Sequence, residues 1–195
     1  MKYKEIIQQT LSDSAALKTL IAEQCMADIG EAALLMAGVF RKGGMALLCG
    51  NGGSAGDAQH IATELVVRLS ARMDRDALPA MALTTNSSTL TACGNDYGFD
   101  RIFSRQVEAF GAKNGLFVGI STSGNSANVQ RALEAAQKKS MASISLLGGN
   151  GGSMKGIADV DILVPHTDTA RIQEGHITIG HILCDIVERE LYAKT

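Results

Sequence analysis

Leu116-Phe117-Val118-Gly119-Ile120 runs directly into Ser121-Thr122-Ser123-Gly124-Asn125-Ser126. The first five residues are an unbroken apolar run of strand length, the pattern of a strand covered on both faces. Residues 127 to 138 read as a helix. Between them lie six small residues, four of which carry a hydroxyl. Strand, tight loop and helix in that order form the leading half of a βαβ unit. The loop also has a chemical reading. At a helix N-terminus, free backbone N–H groups and the helix dipole favour an anion. A single Ser at position 126 would be enough to cap the helix. Ser121, Thr122 and Ser123 exceed that need, so the loop reads as a phosphate cradle in which Ser126 also caps. It has no P-loop Lys, which argues against a nucleoside triphosphate.

The same pattern recurs on both sides. Met45 to Cys49, Ala80 to Leu83, Ile144 to Leu147 and Val160 to Val164 read as further buried strands. Helices are expected over about 55–70, 87–93, 99–110 and 169–192, with a helical turn at 154–157. Repeated alternation of this kind gives βαβ crossovers and a mostly parallel sheet with helices on both faces. Ligands of such sheets sit beyond the carboxyl ends of the strands. Gly50-Asn51-Gly52-Gly53-Ser54 leaves one such end and the Ser/Thr loop leaves another, so the two can converge on one ligand.

Two helices, 4–24 and 26–40, precede the first strand. They exceed what a small sheet needs for cover, so their apolar faces are expected to pack against another subunit. Residues 1–43 thus form an oligomerisation segment on a single domain, whose α/β core is 44–195.

Composition narrows the function. The 195 residues are 46% hydrophobic and 19% charged, which fits a globular protein with a real core. The net charge of −2 and the absence of Trp argue against a nucleic-acid surface. No apolar run is long enough to cross a membrane. The N-terminus has no signal-peptide pattern. Cys25, Cys49, Cys93 and Cys184 lie far apart, which suits reduced, buried thiols in a cytoplasmic protein.

The Gly loop is not a dinucleotide fingerprint, since no third Gly falls in register. Ser54 could cap the following helix and also reach a ligand. On that helix His60 and Glu64 share one face, a turn apart. The last helix adds Gln173, Glu174, His176 and His181. Gln173 and His181 stand roughly 80° apart and two turns apart along it. Two imidazoles, a carboxylate and an amide oxygen would suit a divalent transition metal such as Zn²⁺. Spacing does not choose between His176 and His181, nor show that the two helices meet.

Taken together, residues 50–64 (GNGGSAGDAQHIATE), Gly94-Asn95-Asp96-Tyr97-Gly98, Ser121–Ser126 and Arg171-Ile172-Gln173-Glu174-Gly175-His176 with the later His181 resemble the phosphoheptose isomerases, members of the sugar-isomerase (SIS) class. The resemblance spans nearly the whole chain. It implies a three-layer sandwich around a five-stranded parallel, flavodoxin-like sheet, a homotetramer with sites shared between subunits, and one Zn²⁺ per subunit. It maps the metal ligands onto His60, Glu64, Gln173 and His181, and the phosphate onto Ser121, Thr122, Ser123 and Ser126. Asn51, Gly52, Gly53, Asn95, Asp96 and Gln173 would line the sugar. The reaction implied is aldose–ketose isomerisation of sedoheptulose 7-phosphate, with Glu64 as base and His181 as acid. Its product feeds lipopolysaccharide heptose.

The chain departs from that pattern in two places. Position 86 is Asn where many relatives have Asp, and Ala170 precedes Arg171 where some carry an acid, with Asp168 two positions earlier. Competing readings are a non-catalytic SIS protein that binds the bacterial replication initiator, an isomerase of another sugar phosphate, and a sugar-phosphate sensor. The first of these lacks the acid/base pair that Glu64 and His181 supply here.

Overall fold

The computed structural model describes residues 2–193. Its elements are α1 (Lys4–Gln24), α2 (Met26–Arg41), β1 (Ala46–Gly50), α3 (Gly53–Val66), β2 (Ala80–Ala82), α4 (Ser87–Tyr97), α5 (Ser104–Phe110), β3 (Leu116–Ser121), α6 (Ala127–Lys138), β4 (Ala142–Gly148), β5 (Val160–Val164) and α7 (Thr169–Tyr192). The five strands are all parallel, in the order β2-β1-β3-β4-β5. This is the flavodoxin-like order, with its switch point between β1 and β3.

Alternation along each strand divides the core in two. Ala46 and Leu48 of β1 join Leu116, Val118 and Ile120 of β3 under α2, α3 and α7. Leu47 and Cys49 join Phe117 on the opposite face, under α4, α5 and α6. The three-layer sandwich follows from strands that are apolar on both sides.

The N-terminal helices behave differently from each other. Helix α2 buries Ile29, Ala32, Ala33, Met36, Ala37, Val39 and Phe40 in the core. It therefore helps to cover the sheet, contrary to expectation. Helix α1 buries only Leu17 and Ile21, and leaves Ile6, Ile7 and Leu11 exposed.

Three boundaries moved. Helix α3 ends at Val66 rather than Ser70. The cause lies beyond it in the chain: Arg75 donates to the carbonyls of Glu64 and Leu65, which the last turn of a helix leaves free. The fully buried Arg75 guanidinium also pairs with Glu188 of α7 at 2.8 Å, pinning the 67–79 loop. Helix α4 runs through Asn95 and Asp96 to Tyr97 and stops at Gly98, whose φ of 91° no helix accepts. The helix expected over 99–110 splits into a 3₁₀ turn, Phe99–Arg101, and α5.

Candidate active site

Helices α3 and α7 each leave the carboxyl edge of the sheet and lie side by side. At their upstream ends, a Cβ on Gly53 would collide with the Gln173 amide, so the two are in direct contact. Seven residues further along α3 comes His60, and eight further along α7 comes His181. At about 1.5 Å per residue these offsets are nearly equal, and the two imidazoles meet. Close approach is possible because position 180 is Gly: a Cβ there would sit 2.6 Å from Ile61 Cδ1.

The Nε2 atoms of His60 and His181 are 2.8 Å apart, and Glu64 Oε1 is 3.1 Å from His60 Nε2. The donor atoms of all three residues lie within 4.8 Å of one another. His60 can offer one Nε2 proton at most, yet two lone-pair groups face that nitrogen. A cation among the three would engage every lone pair at once, and two imidazoles with a carboxylate are a donor set that Zn²⁺ accepts. The residues thus fit such an ion. The His60 side chain is 47% exposed and that of Glu64 18%, so the cluster is open to solvent.

The structure separates the two histidines that spacing left equivalent. His181 faces His60, whereas His176 is wholly buried with Nε2 3.1 Å from the Leu147 carbonyl. Burial lowers the His176 pKa to about 4, against a small upward pull from that carbonyl. The expected fourth ligand, Gln173, has its amide at Gly53. One turn before His60, burial raises the Asp57 carboxyl to about 6, with His60 pulling the other way.

The Ser/Thr loop is braced from within. The hydroxyls of Ser121 and Ser126 are 2.9 Å apart. Ser123 Oγ accepts from Asn125 N–H, and Asn125 Oδ1 accepts from Ser153 N–H in the Gly-rich loop after β4. Ser126 is the N-cap residue of α6 but makes no side-chain capping bond, which corrects the expected double role. Its hydroxyl pairs with that of Ser121 instead. Ser54 does not occupy the cap either: it is buried inside α3, where Gly52 holds the cap position.

A residue absent from the sequence reading joins the two loops. Asn128, 3% exposed in the first turn of α6, exchanges two hydrogen bonds of 2.8 Å with Asn51. Nothing in the periodicity of α6 marked it. Asn95 and Asp96 lie in the exposed last turn of α4 and bond to each other. Asn86 and Asp168 are caps. Asn86 accepts from Thr89 N–H at the start of α4, and Asp168 from Arg171 N–H at the start of α7, a bond that lowers the Asp168 pKa. The four cysteines are buried and unpaired, and burial pushes Cys184 up to about 12.

Residues 11–148 match the family model of the SIS domain. The phosphoheptose isomerase of Pelodictyon phaeoclathratiforme is 52% identical over 191 residues, 97% of this chain and 90% of its own length. Two solved structures share the fold closely. The phosphoheptose isomerase of Neisseria gonorrhoeae is 43% identical with a TM-score of 0.87, over 95% of this chain and 98% of that one. A phosphoheptose isomerase from Francisella tularensis is 38% identical with a TM-score of 0.92, over 97% and 100%.

Proposed function

Since this chain belongs to the SIS-domain family and groups there with the phosphoheptose isomerases, we propose that it converts D-sedoheptulose 7-phosphate to D-glycero-D-manno-heptose 7-phosphate. This is the first step toward ADP-heptose and the lipopolysaccharide core. The observation that carries the reading is the meeting of Glu64 and His181 from helices far apart in sequence.

The reaction shifts a carbonyl from C2 to C1. The phosphate rests on Ser121, Thr122, Ser123, Ser126 and the free N–H groups at the start of α6. Asn51, Gly52, Gly53, Ser54, Asn95, Asp96 and Gln173 line the sugar chain. Anchoring the phosphate holds C1 and C2 beside Glu64, which removes the entropic cost of finding that geometry in the reactive step. Glu64 takes the proton from C1, leaving an enediol(ate), and returns it to C2. His181 moves the second proton from the C1 oxygen to the C2 oxygen. Both carbons exchange a proton and the net charge is unchanged.

His60, Glu64 and His181 would hold Zn²⁺, one per subunit, with Gln173 joining if its amide turns away from Gly53. When bound, such an ion polarises the substrate oxygens. A carboxylate shared with a metal is a weaker base, so Glu64 must bind loosely to do both. The exposed Ile6, Ile7 and Leu11 of α1 support a homotetramer with sites completed by a neighbour. No helix among the described residues is long and apolar enough to cross a membrane, and a phosphorylated sugar substrate supports a cytoplasmic enzyme.

The test is direct. Purified protein incubated with sedoheptulose 7-phosphate yields an aldoheptose phosphate, and a chelator slows it until Zn²⁺ is restored. A rate no higher than that of a Glu64→Gln control refutes the isomerase. A rate untouched by chelation refutes the metal alone.

A further inference from the structure

We infer that Asn128 is a positioning residue, a clasp that sets the Asn51 amide by the first turn of α6 and so ties the sugar-binding loop to the phosphate cradle. The inference rests on the proposed isomerase reading, in which Asn51 lines the sugar.

The argument is one of donors and acceptors. Val129 N–H lies in the first turn of α6, where no helical carbonyl can reach it. It donates instead to Asn128 Oδ1 at 2.9 Å. That bond fixes which end of the Asn128 amide is oxygen, an assignment otherwise open to a flip. With the oxygen fixed, Asn51 has one orientation. Its Nδ2 donates to Asn128 Oδ1, and its Oδ1 accepts from Asn128 Nδ2, both at 2.8 Å. Each Asn51 group then keeps one site free, a second N–H and a second lone pair. Asn128 is buried and Asn51 is half-buried, so only Asn51 can present those free sites to a ligand.

The placement gives the clasp its purpose. Asn51 follows β1 and Asn128 follows β3, the neighbouring strands that flank the switch point. Strand pairing fixes their spacing only as far as Gly50 and Ile120. Beyond that, both chains turn away into helices, and the amide pair bridges the gap. Asn128 is two residues from Ser126, so the turn that faces the phosphate also orients the amide that faces the sugar. A cap for Val129 alone would need an acceptor at position 128 but no donor.

A double-mutant cycle in kcat/KM on sedoheptulose 7-phosphate tests this, using Asn51→Ala, Asn128→Ala and the pair. If Asn128 acts through Asn51, its loss costs roughly five- to tenfold in the wild type and almost nothing once Asn51 is gone, a coupling of the size seen for contacting residues. Equal costs in both backgrounds overturn the clasp. Should Asn128→Ala fail to fold, Asn128→Asp replaces it. Its carboxylate still accepts from Val129 N–H but sets an oxygen against Asn51 Oδ1. Any direct repulsion of the phosphate is common to both backgrounds and cancels in the cycle. A second readout is independent of turnover. The Asn51 side-chain amide proton that Asn128 Oδ1 accepts, followed by NMR, exchanges more slowly than those of surface asparagines and loses that protection in Asn128→Ala or Asn128→Leu, which carry no acceptor; unchanged exchange refutes the clasp. A protein that fails to isomerise the sugar yet shows this protection loses the isomerase reading and keeps the clasp.

Discussion

The proposed phosphate cradle and the His60–Glu64–His181 cluster are built in opposite ways. The cradle is held by short-range bonds: Ser121 to Ser126, Ser123 to Asn125, Asn128 to Val129. Its distant braces are Ser153 and Met154 from the loop after β4 and Asn51 on the other loop. The cluster has no such local frame. His60 and His181 are 121 positions apart, and only the packing of α3 on α7 brings them together. A binding loop can therefore be preorganised by its own chain, whereas the reactive pair depends on how closely two helices approach. Damage to the first should show in substrate affinity, and damage to the second in turnover, even from positions that touch no substrate.

The sharpest way to break this contrast is Glu64→Gln. The amide cannot accept the C1 proton, so kcat should fall by roughly a thousandfold or more, within the range of lost general-base catalysis. Phosphate binding, measured by titration with inorganic phosphate, should not change. Loss of both together would mean that the two regions are one unit.

His176 links the regions, since it fastens α7 to the end of β4 between Gln173 and His181. Unfolded, its imidazole takes a proton near pH 6.5; folded, only near 4. Between those values the unfolded chain binds the extra proton, so stability falls as pH drops from about 6.5 to about 4 and then levels off. Asp57 works the other way, because its raised pKa adds stability that fades as pH rises through about 6. Comparison with His176→Gln removes that contribution. Across this window wild type should lose about 3 kcal/mol more than the variant in denaturant titrations. Parallel pH profiles would show that the imidazole is not held neutral.

Gly180→Ala probes the helix seam. The new methyl meets the buried Ile61, which overpacks the contact by about 1–3 kcal/mol, partly offset by the better helix propensity of Ala. Turnover should suffer more than thermal stability, and KM for the sugar phosphate less than either. A KM effect alone would place the cluster outside the chemistry.

The smallest stability effect is expected at Ser126. Loss of a capping side chain typically costs about 1 kcal/mol, but Ser126 makes no capping bond. Ser126→Ala should therefore change the unfolding free energy by only a few tenths of a kcal/mol while weakening phosphate binding several-fold. A full capping penalty with unaltered phosphate affinity would reverse the assignment of this hydroxyl.

Much of this was readable residue by residue. Apolar runs on both sides of each strand required helices on both faces, and the excess hydroxyls at 121–126 suggested a cradle that also caps. Two of the features that misled share a cause. The helical pattern through Ser70 continued past the point where Arg75, nine residues beyond Val66, takes the carbonyls of α3. The position of Ser126 suggested a cap, but the donor it would have served is not bound by its side chain, and Asn128 meets the next one. Both are competitions for a hydrogen-bond partner, and periodicity carries no information about who wins.

The chain's local chemistry settled its strands and their parallel direction, because these depend on residue type and short spacing. The pairing of His60 with His181 instead of His176, the reach of Gln173 to Gly53 and the Asn51–Asn128 clasp came only with folding. Each depends on the rotation and distance of elements that the chain brings together from far apart, and those follow from packing, down to the absence of one methyl group at Gly180.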